Sequence, residues 1–162
     1  MQPDGEHPRD RDDMEYELRY SIRLLDRYRN LARNADLALT LITLLGLSSA
    51  AGSLVNSNPT LATVAGGLLT VTSILHIVYK PAEAKILAAE HRKRYTDLWS
   101  RIRQLDDDSF DTQLIRLHGD DIAVPEGLRL ATEIDVAREL DLDESSLVKG
   151  LTFWNRLMRF CS

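Results

Sequence analysis

The feature that most constrains this chain is a run of 43 residues, Leu37 to Tyr79, that contains no Asp, Glu, Lys or Arg. With 28% of the chain charged, about twelve charges are expected in such a length from composition alone. All 45 charged side chains, 20 basic and 25 acidic, are therefore packed into the other 119 residues. This partition excludes disorder of the whole chain, because disorder goes with low hydrophobicity throughout. A small water-soluble domain has too little interior to cover so long a charge-free segment easily.

The run divides at Asn56-Ser57-Asn58-Pro59-Thr60, a cluster of turn formers in which Pro59 disfavours helix at the residue before it. On either side, Leu37 to Val55 and Leu61 to Tyr79 each span 19 residues. At 1.5 Å per residue, a helix of that length is roughly 28 Å long, close to the thickness of bilayer hydrocarbon. The expectation is an all-α membrane protein with two transmembrane helices, spans about 37–55 and 61–79, joined by a short hairpin and flanked by cytoplasmic amphipathic helices. The competing reading is a pair of buried helices in a soluble bundle or oligomer, although such helices usually carry a charged face.

Basic residues fix the expected orientation. Arg19, Arg23, Arg27, Arg29 and Arg33 precede the first span, Lys80, Lys85, Arg92, Lys93, Arg94, Arg101 and Arg103 follow the second, and the hairpin has none. Basic flanks are retained on the cytoplasmic side, so both termini are expected there. Residues 1–13 are polar with Pro3 and Pro8, unlike a cleavable signal peptide, and are expected to form a disordered tail.

Small residues recur four apart within the spans: Gly46 with Ala50 and Ser48 with Gly52 in the first, Ala62 with Gly66 and Gly66 with Thr70 in the second. This spacing lets helices approach closely in lipid. Gly46, Ala50, Gly52, Gly66 and Gly67 are the candidate packing positions, and helix association points to a homo-oligomer in the bilayer. The second span also carries Thr63, Gly66, Thr70, Ser73 and His76 at steps of three and four, which places them on one helical face. Their hydroxyls can bond back to their own helix. Alternatively Thr63, Thr70, Ser73 and His76 line a hydrated pore, with His76 the ionisable side chain inside the membrane.

Both spans continue into amphipathic segments. Met14, Leu18, Ile22, Leu25, Tyr28 and Ala32 form one stripe; Leu87, His91, Tyr95, Leu98, Ile102 and Leu105 form another, with Trp99 beside it. The hairpin brings the two side by side, so Leu18, Ile22, Leu25 and Tyr28 are expected to pack against Tyr95, Leu98, Trp99 and Ile102, within one chain or across subunits. Residues 14–105 thus form a two-span helical domain. Residues 106–162 form a cytoplasmic remainder. From Asp106 to Val148 it holds 13 acids and three arginines, the pattern of a solvated docking region or a merely acidic surface. Leu130 to Leu140 reads as a short amphipathic helix. The last fourteen residues are basic and aromatic, with Leu147, Gly150, Leu151, Trp154, Leu157, Met158 and Cys161 on one helical stripe.

Enzymatic chemistry is not expected. There is no phosphate-binding glycine loop, His-Glu-x-x-His, Cys-x-x-Cys or Gly-x-Ser-x-Gly. His7, His76, His91 and His118 are scattered, and the single Cys161 excludes a disulfide framework within the chain. No cofactor or metal site is implied, and a net charge of -5 argues against a nucleic-acid partner.

Two tightly spaced spans between amphipathic helices, followed by Tyr79-Lys80-Pro81-Ala82-Glu83-Ala84-Lys85, Glu90-His91-Arg92-Lys93-Arg94-Tyr95 and Leu98-Trp99-Ser100-Arg101-Ile102, resemble the SLATT family. The resemblance covers roughly residues 14–105 and rests most on Pro81, Glu83, His91, Tyr95, Leu98 and Ile102. It implies a two-span effector of bacterial nucleotide-linked conflict systems, one that forms a pore or disrupts the inner membrane in antiviral defence. The partner it implies is a cytoplasmic nucleotide-signalling or sensor protein. A non-conducting membrane scaffold or sensor, recruiting a partner through its acidic region, is the alternative.

Overall fold

In the computed structural model, the structure describes residues 9–47, 52, 59–140, 153, 155 and 160–162, and among these every regular element is helical. α1 runs from Arg11 to Leu47, α2 from Pro59 to Tyr79, α3 from Pro81 to Arg101, α4 from Asp107 to Gly119 and α5 from Glu126 to Glu139, with a single 3-10 turn, Ile102–Gln104, after α3.

α1 starts with Asp12 and Asp13 in its first turn, where carboxylates oppose the positive end of the helix dipole. It then continues without a break from the charged sequence into the apolar one, so its two halves do different work. On the charged half, Met14, Leu18, Ser21, Leu25 and Ala32 are buried. α3 returns along this half and buries Ala88, His91, Tyr95, Leu98 and, just past its end, Ile102. Both stripes alternate steps of three and four, the repeat that keeps one seam facing a partner helix in coiled-coil packing.

The turn between α2 and α3 follows from two adjacent residues. Pro81 has no N–H and disfavours a right-handed helical conformation at the residue before it. Lys80 takes the left-handed conformation, φ 40° and ψ 56°, the one non-glycine residue with positive φ among the described residues. The Lys80 N–H still bonds the His76 carbonyl at 3.2 Å, closing α2. The Lys80 carbonyl accepts from Glu83 N and Ala84 N at 2.9 and 3.0 Å, opening α3.

The core does not stop at residue 106. Phe110 and Leu114 of α4 are fully buried in the same cluster as Met14, Leu18, Leu25, Tyr95, Leu98 and Ile102, and Leu128, Ala131, Thr132, Ile134, Val136 and Ala137 of α5 are buried as well. α4 and α5 pack on α1, making a four-helix assembly from the charged parts of the chain. The acidic residues of this region answer the arginines of the first helix: Arg23 pairs with Glu139 at 2.9 Å, Arg11 with Asp107 at 2.5 Å and Arg27 with Asp135. Asp106 caps α4, accepting from Ser109 N at 3.4 Å. Hydrogen bonding by the Ser109 side chain, ahead of the backbone N–H groups of Asp106 and Ser109, holds the Asp106 carboxyl below its ordinary range.

Two spans were expected, and one helix among the described residues is long and apolar enough to cross a membrane. It is the helical stretch Thr60–Gln104, which runs from α2 through the Lys80 joint into α3, and only 6% of its apolar part is buried within the protein. The first expected span is described over Leu37–Leu47, which at 1.5 Å per residue is roughly 16 Å of helix. Most of its remainder up to Val55, including Ala50, lies outside the described residues, as do most of the residues of the basic C-terminal stripe. The described end of that stripe comes back to α1, where Asn34 Nδ2 donates to the Cys161 carbonyl at 2.8 Å and Arg27 to Ser162 Oγ at 2.7 Å.

Candidate functional site

The apolar halves of α1 and α2 pack along a narrow seam. Ala32 is buried on α1, and Ala35, Asp36, Leu39, Ile42, Thr43 and Gly46 are half-buried beyond it. On α2 the inward positions are Ala62, Ala65, Leu69, Thr72 and His76, spaced three and four apart as one helical face requires. The helices come close at Gly46: a Cβ built there would lie 2.5 Å from Leu69 Cδ2. The other glycines behave differently. A Cβ at Gly52, Gly66 or Gly67 meets nothing within 4 Å, so these positions are open in the single chain.

The polar stripe of the second span splits in two. Thr63, Gly66, Thr70 and Ser73 are exposed on the outer surface of α2, whereas His76 is turned inward onto α1. The five residues therefore do not form one face; the helical turn that brings Leu69 and Thr72 against α1 carries His76 with them. Thr70 Oγ1 donates to the Gly66 carbonyl at 2.9 Å and Ser73 Oγ to the Leu69 carbonyl at 2.8 Å. The inward Thr72, 2% exposed, donates to the Leu68 carbonyl at 2.7 Å. These hydroxyls satisfy themselves within their own helix.

At the end of the seam stands a charged cluster that sequence reading did not single out. Asp36, the last charged residue before the apolar run, has a side chain only 17% exposed and holds Lys85 Nζ at 2.5 Å through one oxygen. His76 Nε2 lies 3.6 Å from its other oxygen. One carboxylate thus ties together α1, the end of α2 and the start of α3, across the left-handed joint at Lys80. The signal available was its position: one acid at the edge of a charge-free run, opposite the one histidine inside that run.

A second polar network lies inside the charged bundle. Tyr95 Oη donates to Asp121 Oδ1 at 2.8 Å, and its ring packs against His118 with centroids 5.8 Å apart. His118 Nε2 is 3.3 Å from Ser21 Oγ, and its Nδ1 is 3.6 Å from Glu17 Oε1. Burial, reinforced by the bond to the Asp121 carboxylate, pushes the Tyr95 hydroxyl well above the ordinary tyrosine range. The network borders a cavity of about 250 Å³, also lined by Tyr20, Ile122 and Arg129. Of the residues expected on the amphipathic stripes, Leu18, Leu25, Tyr95, Leu98 and Ile102 are buried together, with Ile22 and Trp99 packed against them. Tyr28 is half-buried beside Val78, Lys80 and Leu87 at the joint.

Among the described residues no group of three His, Cys, Asp or Glu side chains is placed to hold a metal ion. No family model matches the chain, and neither a curated protein nor a solved structure matches it.

Proposed function

We propose that the chain is a membrane effector of the bacterial inner membrane, with both termini cytoplasmic. In this reading it assembles into a homo-oligomer and forms a pore or disrupts the bilayer on a cytoplasmic signal, in antiviral defence, as its resemblance to the SLATT family suggests. The observation that carries the reading is the apolar surface the single chain leaves uncovered. Leu41, Leu44 and Leu45 on α1 and Val64, Leu68, Val71, Ile74, Ile77 and Val78 on α2 are each more than half exposed. Burying such a side chain stabilises by about 1.5–3 kcal/mol, and lipid supplies that environment along the roughly 31 Å of α2. The charged bundle below needs no lipid to close its core. It is the natural receiver of a signal, and Asp36 is its mechanical link to the spans.

Oligomer contacts fall on what α1 leaves free: Gly66 and Gly67, open on the outer face of α2 beside Thr63, Thr70 and Ser73. Small residues of this kind let helices of neighbouring subunits approach. The experiment is inducible expression in bacteria, following membrane potential, dye entry and fractionation together. Depolarisation with membrane-bound protein is expected, and it is expected to vanish in Gly66→Leu/Gly67→Leu while insertion persists. Leakage unchanged in that variant defeats the pore assignment.

The second reading, a non-conducting anchor or scaffold, is favoured by the Thr70 and Ser73 hydroxyls, which spend their donors on their own helix. Deleting residues 106–162 cannot separate the two readings, because it removes Phe110 and Leu114 from the core. Thr70→Val/Ser73→Ala does: a pore loses conductance, and an anchor is unaffected.

A further inference from the structure

A groove of about 430 Å³ opens between the charged halves of α1 and α3 and the end of α5, lined by Arg19, Ile22, Arg23, Asp26, Arg92, Thr96, Trp99 and Glu139. Three arginines face two carboxylates there, in a chain whose net charge is -5. Their partners leave them unequally satisfied. Arg23 is braced by Glu139, Nε at 3.2 Å and a terminal nitrogen at 2.9 Å. Arg92 Nε lies 3.3 Å from Asp26 Oδ1, yet off the line of its N–H, so this solvent-shielded nitrogen makes no hydrogen bond. Arg19 has no carboxylate partner among the described residues; its guanidinium stacks 4.9 Å over the Trp99 ring. Planar guanidinium forks converging on one space match the oxygens of a phosphate, and the volume is that of a small-molecule site.

We propose that this groove binds a soluble phosphorylated small molecule, with its phosphate held by Arg19, Arg23 and Arg92 beside Trp99. The inference rests on the membrane reading above and names the chemical class of the cytoplasmic signal. That reading also decides the source of the phosphate. Arg92 lies twelve residues beyond Lys80, roughly 18 Å of helix, and Arg23 thirteen before Asp36, roughly 20 Å. The headgroup layer extends only about 6 Å past the hydrocarbon, so lipid phosphates fall short of the groove.

The test uses the full chain in detergent micelles carrying Trp154→Phe, which leaves Trp99 as the sole tryptophan, with inorganic pyrophosphate as the probe. Saturable change in Trp99 fluorescence is expected at or below about 1 mM, because an ordered phosphate must shift Arg19 on the ring. Arg19→Ala should weaken binding about tenfold or more, the loss expected for a charge-assisted contact. Glu139→Gln should tighten it by releasing Arg23. Glu126→Gln, the same charge change on an exposed residue outside the groove, should not. Absence of a saturable response, or equal effects of Glu126→Gln and Glu139→Gln, overturns the assignment. Vesicles of phosphatidylglycerol in place of pyrophosphate should leave Trp99 unchanged; a response to vesicles alone overturns the soluble source. Binding is read without any measurement of leakage, so a groove that binds in a non-conducting chain and a conducting chain that does not bind are separate results.

Discussion

Gly46 on α1 and Leu69 on α2 are packed so closely that a Cβ on the glycine would meet Leu69 Cδ2 at 2.5 Å and Cγ at 2.9 Å. The obstructing atoms belong to a side chain rather than to backbone, so a small group can be accommodated and a branched one cannot. Gly46→Val is expected to destabilise the α1–α2 pair by about 1–3 kcal/mol, the usual cost of overpacking. Gly66→Val and Gly67→Val, with nothing within 4 Å, should leave the monomer within about 0.5 kcal/mol of the parent. Thermal unfolding in detergent, monitored by circular dichroism, checks both; equal losses at all three sites would contradict the packing.

Asp36 concentrates the contacts of three helices in one carboxylate. Asp36→Asn keeps its size and removes the charge that Lys85 and His76 face. Because the cluster is only partly shielded, the expected cost is about 1–2 kcal/mol, between a surface pair and a buried one. Lys85→Met tests the pair from the other side. A double-mutant cycle should return a coupling of about 1 kcal/mol; strictly additive losses would mean that the contact carries nothing.

Much of this architecture is legible in the order of residues. The charge-free run, the start of α2 at Pro59, and the stripes through Leu18 and Leu25 and through Tyr95 and Leu98 are local patterns, and the described helices follow them. The acidic segment was harder to read because composition hid its periodicity. Phe110, Leu114 and Leu117 lie four and three apart among acids, after an Asp106 cap that marks a helix start. The acids themselves are explained by partners 96 to 116 residues distant, through Arg11, Arg23 and Arg27 of α1. No periodicity in a single sequence encodes such pairings. The split of the stripe Thr63 to His76 was equally hidden, since it depends on which face of α2 meets Gly46.

Leu114 decides whether the acidic region is part of the fold or an appendage to it. It is fully buried with Phe110 and Leu98, so Leu114→Ala should cost about 2–5 kcal/mol, the transfer loss plus the cavity left behind. Ile115, the next residue, is 54% exposed, and Ile115→Ala should cost no more than about 0.5 kcal/mol. Loss of protease resistance across residues 14–105 in the Leu114 variant, and not in its neighbour, is the expected result. Unchanged protection would detach α4 from the core.

The tyrosines of the charged bundle set an upper pH limit on its stability. Burial, followed by the charge of Glu133, pushes the Tyr20 hydroxyl up to about 12, and burial raises Tyr95 beyond it. In the unfolded chain both ionise near pH 10. Between pH 10 and the folded value the native state therefore holds protons that the unfolded state has released, and stability falls as pH rises. Below pH 10 their contribution is fully present. Thermal unfolding should be flat with respect to these groups from pH 7 to 9 and decline steeply from 10 to 12. Tyr20→Phe, which keeps the ring and deletes the proton, should flatten that decline while Tyr95 still contributes. A variant that tracks the parent throughout would show that Tyr20 ionises freely in the folded protein.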